Sequence, residues 1–227
     1  MNPEDVIAHY GEEYDRYLGA VSPPIFQTSI FNMNHGYVYT RHGNPTTEIV
    51  EKKIAALEQA EAAACFSTGM AALSAAISYC MTKNSHAILV KHAYGGAHLF
   101  LKDYMAKYGV ETTEVVGERI EEFEQAVRPN TKMIYLESPS SFIYGMQDLQ
   151  AVAQLAKSRG IMTVIDNTWA TPLYQNPLVF GIDLVVHSAS KYLGGHSDLI
   201  GGVIAGRKDI IDAIVQRERN YYGAVMD

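Results

Sequence analysis

Residues 182–196 read Ile-Asp-Leu-Val-Val-His-Ser-Ala-Ser-Lys-Tyr-Leu-Gly-Gly-His. The apolar run at the start predicts a buried strand over 182–187. Lys191 follows this strand, between small hydroxyl residues and a pair of glycines. A lysine at the mouth of a buried strand is expected to be desolvated, and desolvation favours the neutral amine that forms Schiff bases. The segment therefore predicts a nucleophilic lysine whose neighbours suit a phosphate, the alternative being an ordinary surface lysine.

A second apolar strand ends on a carboxylate, where Val164-Ile165 leads into Asp166. An aspartate can pair with the protonated pyridine nitrogen of pyridoxal 5'-phosphate (PLP), and a lysine can carry the aldehyde of PLP as a Schiff base. Asp166 and Lys191 together supply the minimum that PLP chemistry needs from a protein. Their combination outweighs the surface-lysine alternative.

The chain alternates between short apolar strands and amphipathic helices. Strands are predicted at 62–66, 86–91, 110–116, 133–137, 161–166, 182–187 and 199–205. Helices are predicted at 45–60, 70–81, 97–108, 119–127 and 149–158, with a last one from about residue 208. This alternation is typical of an α/β fold whose mostly parallel sheet has helices on both faces.

Ligands of such sheets bind at the carboxyl ends of the strands, where further candidate groups fall. The N–H groups of Gly69 and Met70 open a helix directly after a strand and could cradle a phosphate, although many such turns are only turns. A nucleotide-binding Rossmann module would need G-x-G-x-x-G here, and Gly69 is the only glycine of the turn. Tyr94, before Gly95 and Gly96, could lie against a pyridine ring or fill the space over its glycines.

Residues 1–44 lack a clear period and are predicted to form an N-terminal arm, followed by a large domain over 45–227. Within the arm, Tyr39 and Arg41 offer a hydroxyl and a guanidinium that suit a phosphate. The alternative for this pair is a solvated place on the surface of the arm.

The composition excludes several classes of protein. The 227 residues are 48% hydrophobic and 19% charged with a net charge of -7, which indicates an acidic globular protein without the basic surface that nucleic acids bind. Cys65 and Cys80 lie in apolar surroundings without metal-ligand spacing, so we predict buried, reduced thiols in a cytoplasmic protein. The first residues, Met1-Asn2-Pro3-Glu4-Asp5, lack the basic and apolar regions typical of a signal peptide, and the uncharged stretch 62–82 is richer in small and hydroxyl residues than we expect of a membrane span.

The motifs occur in a characteristic order along the chain. They are Tyr39-Thr40-Arg41-His42-Gly43-Asn44-Pro45-Thr46, Ser67-Thr68-Gly69-Met70, Tyr94-Gly95-Gly96, Asp166-Asn167-Thr168-Trp169 and Ser188-Ala189-Ser190-Lys191-Tyr192-Leu193-Gly194-Gly195-His196-Ser197-Asp198. From about Tyr39 to the end, the chain resembles the Cys/Met-metabolism family of PLP-dependent enzymes. The resemblance implies the large domain of a fold-type-I PLP enzyme, with the small C-terminal domain of the family absent from this chain.

The resemblance also implies roles for individual residues. Lys191 would carry the aldimine and move protons, Asp166 would keep the pyridine nitrogen charged, and Tyr94 would stack on the ring and assist proton transfer. The phosphate-binding groups would be the amides of Gly69 and Met70, the hydroxyls of Ser188 and Ser190, and Tyr39 and Arg41 of a neighbouring subunit. A homodimer would then be the smallest competent unit, and tetramers are usual in the family.

Single positions bear on the reaction. The segment Asp166-Asn167-Thr168-Trp169-Ala170 and the stretch from Phe142 to Leu149 look more like cystathionine β-lyase, which implies β-elimination from L-cystathionine or L-cysteine conjugates. Methionine γ-lyases typically have cysteine where this chain has Gly96, and cystathionine γ-lyase and γ-synthase have arginine where it has Leu99. Ser141 stands where many members have an asparagine near the cofactor.

Alternatives remain for the function. One is γ-elimination or γ-replacement, as in methionine and cystathionine γ-lyases, cystathionine γ-synthase and O-acetylhomoserine sulfhydrylase. The other is a truncated, non-catalytic PLP-binding homologue. In the family the arginine that binds the substrate α-carboxylate lies in the C-terminal domain, so the sequence nominates no residue for that role.

Overall fold

A seven-stranded sheet forms the centre of the protein, in a computed structural model that describes residues 1–11 and 13–227. The strands are β1 (Ala62–Phe66), β2 (His86–Val90), β3 (Glu111–Val115), β4 (Thr131–Glu137), β5 (Met162–Asp166), β6 (Leu184–Ser188) and β7 (Gly202–Gly206). Their order across the sheet is β1-β7-β6-β5-β4-β2-β3. The α/β class predicted from the sequence is confirmed.

Helices connect most of the strands. The α-helices are α1 (Pro3–His9), α2 (Pro45–Glu58), α3 (Gly69–Cys80), α4 (Gly95–Leu99), α5 (Ile120–Ala126), α6 (Leu149–Arg159), α7 (Thr171–Tyr174), α8 (Lys208–Ile214) and α9 (Asn220–Tyr222). Short 3₁₀ helices lie at Tyr14–Tyr17, Met33–His35, Met105–Tyr108 and Pro177–Phe180, and π-helical turns at Phe100–Tyr104 and Val215–Arg219. The helix predicted over 97–108 therefore begins two residues earlier and changes its hydrogen-bonding pattern twice.

Five neighbouring strands are parallel, as predicted, in the order β3, β2, β4, β5 and β6 across the sheet. The strand β7 runs antiparallel to both of its neighbours, β6 and β1. The chain between β6 and β7 contains no helix that could carry it across the sheet, so the strand returns in the opposite direction. The strand predicted over 199–205 accordingly starts at Gly202. Because two antiparallel steps restore the direction, the carboxyl ends of β1 and β6 lie at the same edge.

Side-chain alternation along β1 and β7 separates two apolar clusters. Ala63, Cys65 and Val203 pack with Ile54 of α2 on one face. Phe66 and Ile204 belong to the large cluster on the other face, which includes the apolar residues of α3. The helices thus cover both faces of the sheet, and the turn between β1 and α3 is held against the end of β6.

The arm contacts the large domain of its own chain. The Phe26 N–H donates to Thr46 Oγ1 of α2 at 2.9 Å, and within the arm Asn44 Nδ2 donates to the Phe26 carbonyl at 3.0 Å. Tyr37 donates a hydrogen bond to Glu48 of α2. These bonds orient the segment that carries Tyr39 and Arg41, while the division into an arm over 1–44 and a domain over 45–227 stays a prediction.

The structure bears on two predictions, those for the cysteines and for a membrane span. Cys65 and Cys80 are free and buried, as expected for reduced thiols. Among the described residues, none of the helices has both the length and the apolar character required to cross a membrane.

Candidate functional site

A cavity of about 820 Å³ opens at the carboxyl edge of the sheet. Most of the residues predicted for the site line it, namely Gly69, Met70, Tyr94, Asp166, Ser188, Ser190 and Lys191. Tyr39 and Arg41 are not among the residues that line it. The structure therefore brings together groups that are more than one hundred residues apart in the sequence.

One wall of the cavity is the turn from β1 into α3. Thr68 caps the helix, since its Oγ1 accepts the Ala71 N–H at 2.9 Å. The N–H groups of Gly69 and Met70 come first in the helix, where intrahelical partners are lacking. A Cβ atom on Gly69 would stand 2.8 Å from Ser188 Oγ, so only glycine lets the helix start approach the end of β6 this closely. The result is a cradle of N–H groups with a hydroxyl beside it, which suits a phosphate.

A carboxylate stands at the floor of the cavity. Asp166 is the last residue of β5, and its Oδ1 accepts the Thr168 N–H at 2.9 Å. Burial raises the pKa of Asp166, while the hydrogen bonds from Thr168 and the field of His187 act in the opposite direction. A cationic ring nitrogen placed against Asp166 would relieve the cost of burying this charge.

Lys191 differs from the sequence-based expectation. It is exposed, so the structure does not show the desolvation that its place after a buried strand predicted. The reason is that β6 already ends at Ser188, so Lys191 lies in the turn after the strand. In this turn the Lys191 N–H donates to the Ser188 carbonyl at 3.1 Å. Ser190 of the same turn both donates to and accepts from the main chain of Gly201.

Tyr94 stands at the rim with its side chain 49% exposed. A Cβ atom on Gly96 would lie 2.4 Å from Tyr94 Cε1 and 2.6 Å from Met70 Sδ. The ring thus fills the space over Gly96, one of the two positions expected for it from the sequence. It also lines the cavity, where a pyridine ring could lie against it.

Tyr39 and Arg41 lie together in the arm. The Arg41 guanidinium is 5.1 Å from the centre of the Tyr39 ring, which is a cation–π contact, and both residues are exposed. They present a cation and a hydroxyl to the surface rather than to the cavity of their own chain.

Further residues line the cavity, of which the resemblance had placed only Ser141 near the cofactor. Glu137, Ser141, Trp169 and Tyr192 line the cavity with the predicted groups. Glu137 ends β4, as Asp166 ends β5, and the two are in register. In the sequence, Glu137 shares with Asp166 the pattern of a carboxylate that directly follows an apolar strand.

A buried polar pair lies beneath the strand ends. Glu58 and His187 are fully buried, and their Oε1 and Nε2 atoms are 2.5 Å apart. Asn167 Nδ2 donates to the same oxygen of Glu58 at 3.1 Å. The pair ties the end of α2 to the ends of β5 and β6, which helps to hold Asp166 and Ser188 in place.

Known proteins are similar to this chain in sequence and in fold. An L-methionine gamma-lyase of Porphyromonas gingivalis is 41% identical over 221 residues, covering 91% of this chain and 55% of that protein. A cystathionine beta-lyase MetC of Staphylococcus haemolyticus is 39% identical over 212 residues, covering 91% of this chain and 53% of that protein. The crystal structure of metB from Corynebacterium glutamicum superposes on the chain with a TM-score of 0.96 at 34% identity, over 100% of this chain and 60% of that one.

The chain thus spans between about half and three fifths of the length of these proteins. The profile of the family described as Cys/Met metabolism PLP-dependent enzyme matches residues 4–227. With this match, and with a cavity that offers a phosphate cradle, a carboxylate and a lysine, the chain belongs to the Cys/Met metabolism family of PLP-dependent enzymes.

Proposed function

We propose that the chain forms the cofactor-binding part of a PLP-dependent carbon–sulfur lyase that acts on sulfur amino acids by β-elimination. PLP is the cofactor of the family. The observation that carries the proposal is the cavity itself, because Lys191, Asp166, Tyr94 and the Gly69 turn line one space. The substrates that we propose are L-cystathionine and L-cysteine conjugates.

The residues of the cavity would divide the work of binding and proton transfer. The N–H groups of Gly69 and Met70 and the Ser188 hydroxyl would hold the phosphate. Ser190 would contribute less, since its hydroxyl is already engaged by Gly201. Tyr94 would pack against one face of the pyridine ring.

Asp166 and Lys191 would handle the protons of the reaction. PLP, when bound, supplies the electron sink for the charge that develops at the substrate Cα. The Asp166 carboxylate would hold a proton on the ring nitrogen, and Lys191 Nζ would take the proton from Cα and deliver a proton to the sulfur that leaves Cβ as a thiol. A preorganised carboxylate in a buried site acts more strongly than it would in water.

The choice of β-elimination rests on few positions. This chain has glycine at the position where methionine γ-lyases typically have cysteine, and a side chain there would require the Tyr94 ring and the Met70 side chain to shift. Leu99 is 70% exposed and provides no cation. Both positions favour the β-lyase assignment over the γ-lyases.

A γ-lyase is the second candidate. The observation that favours it is the 41% identity to the protein named L-methionine gamma-lyase, which is at least as high as that to the β-lyase.

The test mixes the purified protein with PLP and then with L-cystathionine. We expect a PLP absorption band in the visible range, followed by slow formation of pyruvate, homocysteine and ammonia, because no residue of this chain is nominated to bind the substrate α-carboxylate. Release of 2-oxobutanoate and cysteine would support the γ-lyase instead. A stable PLP band with neither keto acid would indicate a binding protein, and no band would contradict the proposal as a whole.

We further propose that the protein works as a homo-oligomer in the cytoplasm, with Tyr39 and Arg41 reaching the phosphate of a neighbouring subunit. Their exposure on the arm, outside the cavity of their own chain, supports this arrangement. The free, buried cysteines are compatible with a reducing compartment.

Subunit mixing tests the arrangement. Arg41→Ala and Lys191→Ala subunits are each expected to be inactive, while a mixture should regain up to about a quarter of the wild-type turnover. The reason is that random pairing makes half of the dimers mixed, and each mixed dimer has one site with both groups intact. Labelled subunits, followed by mass spectrometry, show whether exchange has occurred. Exchange without recovery would place Arg41 in the site of its own chain.

A further inference from the structure

Glu137 faces the candidate cavity, and no step of the proposed function uses it. The residue is 6% exposed, and both of its carboxylate oxygens have donors. Oε2 accepts the Tyr94 N–H at 2.6 Å. Oε1 accepts the hydroxyl of Ser141. The carboxylate therefore joins the end of β4 to two loops that border the cavity.

The bond to Tyr94 fills a gap at the start of α4. Tyr94 is the residue before this helix, and no side chain caps the helix from its own end. Glu137 accepts the N–H of the N-cap residue Tyr94 itself, which is the bond that the N3 side chain makes in a capping box. The ring of Tyr94 rests on Gly96 and Met70, so its place depends on where the Tyr94 backbone is held.

We propose that Glu137 is a positioning residue, whose carboxylate fixes the Tyr94 backbone and thereby the Tyr94 ring at the cavity, and that Ser141 sets how firmly this carboxylate is held. This proposal rests on the proposed function in one respect, namely that the Tyr94 ring packs against PLP. The anchor itself is a property of these three residues.

The charges around Glu137 make the anchor sensitive to pH near neutrality. Burial raises the pKa of Glu137 to about 7, with the field of Asp166 acting in the same direction, while the Ser141 and Tyr94 hydrogen bonds lower it. The ionisable groups beside it are Asp166 from β5, Tyr94 before α4, Tyr135 on its own strand and Lys191 across the cavity.

The sign of the effect follows from hydrogen-bond strength. An ionised carboxylate accepts an N–H bond more strongly than a carboxylic acid does. Raising the pH through 7 should therefore tighten the bond between Glu137 and the Tyr94 N–H, and lowering the pH should loosen it. The ring of Tyr94 should shift with the same midpoint.

Nuclear magnetic resonance of the protein labelled with ¹³C,¹⁵N-tyrosine, which reports both the amide and the ring, tests this without any lyase assay. The sequence has 15 tyrosines, and the amide signal that disappears in Tyr94→Phe identifies Tyr94. We expect the Tyr94 amide proton and ring signals to titrate together with a midpoint near pH 7. In Glu137→Gln this titration should be lost. In Ser141→Ala it should move upward by about one pH unit, because a hydrogen bond to the charged form is removed.

The matched control is Glu122→Gln, since Glu122 also accepts a main-chain N–H, from Gly117, outside the cavity. The Tyr94 titration should be unchanged in it. A Tyr94 amide that titrates equally in Glu137→Gln, or a ring signal that stays fixed while the amide moves, would overturn the proposal. Because the measurement needs no PLP, a protein that shows the titration but binds no PLP would contradict the proposed function alone.

Discussion

Reduction of the PLP-loaded protein with borohydride is expected to leave the pyridoxyl group on Lys191 and on no other lysine. Lys191 lines the cavity, together with the Gly69 turn that forms one wall and with Asp166 at the floor. Peptide mapping by mass spectrometry locates the adduct. In Lys191→Ala the adduct should be absent, and turnover should fall at least about 10³-fold, since nucleophilic attachment and proton transfer are lost together.

Lys208→Ala is the matched control. Lys208 is exposed at the start of α8 and pairs with Asp212 at 2.8 Å, away from the cavity. It should retain the adduct on Lys191 and its turnover. An adduct that moves to Lys91 or Lys208 in the wild-type protein would contradict the assignment, and so would full turnover in Lys191→Ala.

The second large effect is expected at Asp166. Asp166→Asn keeps the size and the Thr168 hydrogen bond but removes the charge that would hold the ring nitrogen protonated. Turnover should fall on the order of 10²- to 10³-fold, as for other single electrostatic groups in active sites, and the affinity for PLP should also fall. Absorbance titration with PLP and initial rates with L-cystathionine measure the two effects.

Asp148→Asn makes the same chemical change elsewhere. Asp148 caps α6 through a 3.0 Å bond from the Ala151 N–H, and asparagine caps helices about as well as aspartate. Its affinity for PLP and its turnover should match the wild type. If Asp166→Asn behaved like this control, Asp166 would not be the partner of the ring nitrogen.

Local pattern determined much of the fold and most of the candidate site. Apolar runs such as 62–66 and 182–187 report burial directly, because a strand inside a covered sheet has nothing but apolar neighbours. The motifs around Gly69, Asp166 and Lys191 carry their chemistry in a few adjacent residues. For these, the sequence alone led to an α/β fold, PLP and the groups that the cavity brings together.

Only the tertiary structure decided the properties that depend on distant neighbours. The reversal of β7 depends on the path of a loop, and the exposure of Lys191 depends on where β6 ends. Glu137 becomes notable only when folding places its carboxylate against the Tyr94 N–H and beside Asp166. Hydrogen bonds and pKa values are set by atoms a few ångströms away in space, and residues far apart in the chain supply those atoms.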